Sequence, residues 1–216
     1  MNKYRFCYKQ GEEVKFISHL DFLRTAVRIF RRANLPVKYS EGFNPHMVMT
    51  IGLPLSVGTT SLCDCLEIEF TEEIDTSVVL DIINKVCPRG IEFIGVKKAE
   101  GLTPMHLIDS ALYAASFTTG KNADLEEYLS APEVMIEKKS KRKINEVNIK
   151  DFIRSIKVIS TDGTHHKVEM HINAGNTSNL KPELVLKSIA DYLNTEITDI
   201  NIERKEIYFE DMTKVF

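Results

Sequence analysis

Apolar and polar residues along this 216-residue chain switch repeatedly between a period of two and a period near 3.6. Residues 4–10, YRFCYKQ, alternate and are rich in aromatics, as a strand is. Gly11, Glu12 and Glu13 interrupt the pattern, and Val14-Lys15-Phe16-Ile17 resumes it. Over residues 18–36, SHLDFLRTAVRIFRRANLP, the period becomes helical, with Leu20, Leu23, Val27 and Phe30 on one stripe. Ser18 is placed to cap this helix, with Asp21 three residues on as in a capping box, while Asn34 and Pro36 end it. MVMTIGLPL (47–55) reads as a strand up to Pro54, residues 56–61 as a turn, and LCDCLEIEF (62–70) as a further strand. An amphipathic helix over 75–87, capped by Asp75 or Thr76, and a strand over 90–99 complete the first half.

Residues 1–100 therefore read β-α-β-β-α-β, the pattern of a ferredoxin-like domain with an antiparallel sheet and its helices on one face. Residues 101–105 read as a linker. The second half, 108–216, repeats the idea: a strand over 111–119, a short helix over 122–130, a charged hairpin over 133–149, and a hairpin over 153–173 turning at Asp162-Gly163. A helix follows with Pro182 near its first position, then a last strand over 197–209. The expected fold is α+β, two ferredoxin-like units with an extra charged hairpin in the second.

Charge adds an asymmetry. The chain carries −3 overall, yet residues 1–50 hold nine lysines and arginines against four acids, so they carry +5 and the remainder −8. One positive face on an acidic body favours an anionic partner. No stretch approaches a membrane span and the first residues hold no apolar signal core, so a cytoplasmic location is expected, away from membranes. Cys7, Cys63, Cys65 and Cys87 show no CxxC pair and no CxxxCxxC motif. They are expected to be reduced core thiols, and no metal site or cofactor is expected in this chain.

Arg24, Arg28 and Arg31 lie at i, i+4 and i+7, with Arg32 beside them, forming a basic ridge that only Asp21 on the same helix can pair with. Arginine binds phosphate in a bidentate manner. The loop YSEGFNPH (39–46) follows. Gly42 admits positive φ and Asn44-Pro45 imposes an extended or turned backbone. Such a loop can offer Tyr39 and Phe43 for stacking and Ser40, Asn44 and His46 for hydrogen bonds, a combination that fits nucleic acid. Its aromatics could equally plug the core. His19, Asp21 and His46 form a candidate general acid–base set if they converge, although no nucleophile accompanies them. Asp64 and Glu67 face opposite ways on their strand, where Glu67 and Glu69 share a face, and two of these three are expected at a solvent-facing edge. His165, His166 and His171 give a faint metal hint, and KKSKRK (138–143) a basic hairpin tip.

The segment FISHLDFLRTAVRIFRRANLPVKYSEGFNPH, followed by PLSVGTTS, resembles the radical SAM-linked, or radical SAM-associated, protein family. This is a domain of unknown function found free or joined C-terminal to a radical SAM enzyme. NLKPELVL extends the resemblance more weakly into the second half. Met47 and Val48 depart from the proline and basic residue expected after GFNPH, while Asp64 and Glu67 match acidic family positions. The resemblance implies a radical SAM enzyme as partner, which would bring the iron–sulfur cluster and S-adenosylmethionine. Taken together, the residues and the resemblance lead us to expect a non-catalytic accessory protein that binds or presents a structured RNA. The alternatives are a small RNA-processing or transfer enzyme using His19, Asp21 and His46, and a docking subunit without nucleic acid.

Overall fold

The computed structural model describes residues 2–139 and 144–216. In the first half, β1 (Lys3–Gln10), α1 (His19–Arg32), β2 (Met49–Ile51), β3 (Thr59–Glu69), α2 (Val79–Asn84) and β4 (Ile91–Lys98) follow in order. The second half comprises β5 (Ile108–Thr119), α3 (Leu125–Ser130), β6 (Met135–Lys139), β7 (Ile144–Asn148), β8 (Ile153–Asp162), β9 (His165–Asn173), α4 (Pro182–Tyr192) and β10 (Ile197–Phe209). β6 and β7 pair only with each other; the remaining strands form one sheet in the order β4-β1-β3-β10-β5-β9-β8, with β2 also on β3.

The molecule is thus a mixed α+β protein built on one large, mainly antiparallel sheet, where two separate sheets were expected. The join is parallel: Ile202, Glu203 and Arg204 of β10 pair with Thr59, Thr60 and Ser61 of β3. Those three β3 residues were read as turn. The turn is confined to residues 56–59, where the Thr59 amide donates to the Ser56 carbonyl at 3.2 Å and Gly58 has φ +89, and the small and β-branched residues after it lengthen β3 to eleven residues. One stretch of β3 then carries β2, on residues 66–68, and the other carries β10, on 59–61.

The first core lies under α1. Tyr4, Phe6 and Tyr8 of β1 and Leu66 and Ile68 of β3 point into it, meeting Phe22, Ala26, Ile29 and Phe30. Phe6 meets Phe30 edge-on at 5.4 Å and Phe93 at 5.8 Å, and Tyr8 stacks on Phe22 at 4.9 Å. Such pairs add about 0.5–1.5 kcal/mol each beyond their area. The buried stripe of α1 is therefore shifted from the expected one, and Leu20 is 61% exposed. Apolar residues at 20, 22, 23, 26, 27, 29 and 30 cover a wide arc, and the side of it that holds Phe22, Ala26 and Ile29, rather than the side that holds Leu20 and Val27, faces the sheet. The Ser18 hydroxyl accepts from the Asp21 amide, as the cap requires. α2 begins later than expected, because Asp75 accepts from the backbone and hydroxyl of Ser77 and holds a turn before the helix.

A second core packs Tyr113, Phe117, Met170 and Ile172 of the sheet against Val185, Leu186 and Ile189 of α4. A third cluster, on the other face, joins the halves: Cys7, Cys65, Met105, Ile108, Ile207, Phe209 and Val215. Residues 101–105 are consequently more than a linker, since Met105 is buried and the Thr103 carbonyl accepts from Arg5 at 2.6 Å.

Candidate functional site

The loop after α1 is a small closed hairpin. Tyr39 bridges Met47, the Ser40 amide donates to the His46 carbonyl at 2.8 Å, and the His46 amide donates to the Ser40 hydroxyl at 3.1 Å. The same hydroxyl lies 2.9 Å from His46 Nδ1. Residues 41–46 are exposed, and Gly42 has φ +112, a region that favours glycine. Phe43 is fully exposed and Tyr39 partly so, which removes the reading in which these rings plug the core. Asn44 is exposed and makes no hydrogen bond among the described residues.

Arg24, Arg28, Arg31 and Arg32 are all exposed on α1. Asp21 pairs with Arg24 at 2.9 Å and also accepts from Ser18, and these bonds hold its carboxyl below the usual range. Arg28, Arg31 and Arg32 enter no ion pair among the described residues. Arg31 and Arg32 sit in the last turn, where the helix end carries negative partial charge and stabilises cations.

His19, Asp21 and His46 do not converge. Ser18 and His19 line a small cavity with Tyr8, Gln10, Leu55 and Ser56, at the end of β1. Val37 and Lys38, just before the hairpin, pair with Phe70 and Glu69, and the Phe70 amide donates to Asn2 at the start of β1. α1 runs between these two ends. Its 14 residues span about 21 Å at 1.5 Å each. His46 therefore lies at the end of the sheet opposite His19 and Asp21, in the hairpin that follows the C-terminal end of α1. Adjacency in sequence does not bring these residues together, because a helix that folds back along its strand separates them by its own length.

Beneath the cavity lies a buried polar network that the sequence reading missed. Gln10 donates to Asp64 at 3.0 Å, and Arg204 donates to Asp64 through Nε at 2.8 Å and Nη2 at 2.5 Å. The same guanidinium donates to the carbonyls of Leu53 and Pro54. One arginine thus fastens the PLSVG segment to β10. Burial opposes the charge of Arg204, yet Asp64 and Tyr113 hold its pKa above the ordinary value. On the opposite face Glu67 accepts from Arg5 at 3.0 and 2.6 Å and pairs with Lys3. Burial raises the Glu67 pKa, but Lys3 and Arg5 outweigh it and leave the carboxyl lower than usual. The expected solvent-facing edge is wrong for both acids: each is buried against an arginine. The available signal was Arg204 itself, an inward position in the alternating strand ITDINIERKEIYF.

The three histidines are held structurally. His165 and His166 contact Thr118 and Thr119, His166 stacks on Phe117 at 5.3 Å, and His171 Nε2 lies 2.9 Å from the Ser110 hydroxyl. Of the basic run 138–143, residues 140–143 lie outside the described residues. The cysteines are less scattered than their spacing implies. Cys7 pairs across the ladder with Cys65, and Cys63 projects from the same face two residues earlier.

The chain matches, over residues 3–182, the family described as "Uncharacterized protein conserved in bacteria (DUF2344)". It belongs to that family. No curated protein matches it in sequence. Among solved structures, the chain is similar to one in an H/ACA RNP bound to a substrate RNA containing 2'-deoxyuridine, with 10% identity and a TM-score of 0.50. The match covers 92% of this chain and 46% of that one. A chain of a Cbf5-Nop10-Gar1 complex matches at 12% identity and TM-score 0.50, covering 94% of this chain and 48% of that one. The DUF2344 protein thus spans about half the length of these neighbours, and at such identities the likeness shows the fold alone. No helix among the described residues is long and apolar enough to cross a membrane.

Proposed function

We propose that this DUF2344 protein is an RNA-binding, substrate-presenting accessory protein that holds a structured RNA for a radical SAM enzyme. One observation carries the RNA reading. Arg28, Arg31 and Arg32 stand exposed on the C-terminal half of α1 without ion pairs among the described residues, and the closed hairpin that follows in the chain lifts Phe43 and Asn44 into solvent. A solvated helix face normally pairs part of its charge, and a purely structural phenylalanine is normally covered. Exposed rings beside unpaired guanidiniums suit stacked bases and phosphates.

The enzyme partner rests on the resemblance of the HLD helix and GFNPH loop to radical SAM-linked proteins. In this reading the partner supplies the iron–sulfur cluster and S-adenosylmethionine, and this surface supplies position alone. Each half is read as a ferredoxin-like unit, supported by the strand orders β4-β1-β3-β2 and β10-β5-β9-β8. One structural neighbour belongs to an H/ACA RNP described as bound to a substrate RNA, which adds only as much as a shared fold can.

The test is purification at low salt followed by sequencing of bound nucleic acid. A defined RNA that is released by Arg28→Ala/Arg31→Ala supports the proposal. Protein that carries no RNA but retains a partner enzyme through Phe43 would replace it with the docking reading.

A further inference from the structure

The three-cysteine cluster belongs to none of this. We infer that Cys7, Cys63 and Cys65 form a binding site for a thiophilic metal ion, with Zn2+ as the natural probe. Their Sγ atoms all lie within 4.8 Å of one another, and among the described residues no other set of three histidine, cysteine or carboxylate ligands comes as close. The arrangement follows from β-sheet geometry. A C-x-C pair on β3 projects both thiols to one face, and the β1 register sets Cys7 directly opposite Cys65. No local motif signals it, because the third ligand comes from a strand 56 residues away.

The surroundings suit a cation held by thiolates. Cys7 and Cys65 are buried, while Cys63 is half-buried and opens with Cys7 onto a groove lined by Leu112, Lys205, Tyr208, Lys214 and Phe216. Tetrahedral zinc with bonds of about 2.3 Å sets its sulfurs about 3.8 Å apart. Cys7 and Cys63, now 2.7 Å apart, need to separate by about 1 Å, which side-chain rotation on adjacent strands supplies. Binding replaces three S–H protons by one divalent ion, leaving one negative charge beside Lys214. The fourth position faces the groove, so water or a ligand group completes the coordination, as in open zinc sites.

The site is independent of the arginine surface. The experiment uses the full chain, reduced, stripped of metal and free of a histidine tag. Zn2+ is titrated against a chromophoric chelator, thiols are counted before and after, and Co2+ is added to the same preparation for its visible spectrum. We expect one Zn2+ per chain, protection of three of the four thiols, and the intense bands of tetrahedral sulfur-bound Co2+. Cys63→Ser, at the half-buried position, should weaken binding by on the order of a hundredfold or more, since even outer-shell partners are worth ten- to a hundredfold. Cys87→Ser should leave it unchanged. The inference is overturned by wild-type protein that takes up no Zn2+, by the weak spectrum of an octahedral site, or by binding that survives Cys63→Ser. The wild-type spectrum keeps the test decisive even where a variant folds poorly.

Discussion

Asp64 and Arg204 sit at the seam where β3 meets β10, each about 1% exposed, and neither charge has water to fall back on. Removing one partner leaves the other buried and uncompensated, a loss of about 3–5 kcal/mol. Asp64→Asn and Arg204→Met should each cost this much in urea unfolding, while the double variant should cost clearly less than their sum. Additive losses would mean that the pair does not fasten the seam. The same logic fixes two pH windows. Burial lowers His166 and His171 from an ordinary 6.5, with Arg154 also acting on His171, so the unfolded chain takes up their protons first as pH falls. Their contribution is present above 6.5 and is lost as pH falls through the lowered folded values. Glu67 behaves likewise from its ordinary 4.5 downward, through its Lys3 and Arg5 partners. Denaturation midpoints should therefore fall in two stages on acidification, and Glu67→Gln should remove part of the lower one, with an overall loss from the stranded Arg5.

The hairpin and helix form the element on which function is proposed. Ser40 and His46 close the loop, and Gly42 gives it a conformation that an L side chain adopts with strain. Gly42→Ala should therefore disturb RNA binding while costing global stability only about 1 kcal/mol, because nothing lies within 4 Å of the added carbon. Phe43→Ala should weaken RNA binding by about 1–3 kcal/mol with no loss of stability, the effect of a lost stacking platform. Unfolding curves and RNA affinity, measured on the same preparations, separate the two effects. Much of this element was legible. The cap at Ser18, the ridge and the turn-forming Gly42-Phe43-Asn44-Pro45 all follow from local chemistry. Illegible was the phase of the buried stripe, since α1 has apolar residues around too wide an arc to choose between Leu20 and Phe22.

At the scale of the molecule, strand existence followed from alternation, while everything depending on pairing between distant strands did not. The parallel join of β3 to β10, the Asp64–Arg204 pair and the thiol cluster each bring together residues at least 56 positions apart, and no local period encodes them. The fold-back of α1 likewise separates His46 from His19, which dismantles the acid–base set, and the proposal rests on the arginines and the hairpin as a recognition surface. That surface is the central claim, and salt tests it most directly. Three arginine–phosphate contacts give a slope of log affinity against log salt of about −2.1 to −2.7, hence a loss of about 18- to 42-fold between about 50 and 200 mM. The measurement is RNA binding by fluorescence anisotropy across that range, for the wild type and Arg28→Ala/Arg31→Ala. The account predicts a slope shallower by about 1.4–2 in the variant, with weaker binding at low salt. Equal slopes and equal affinities in the two proteins would contradict it.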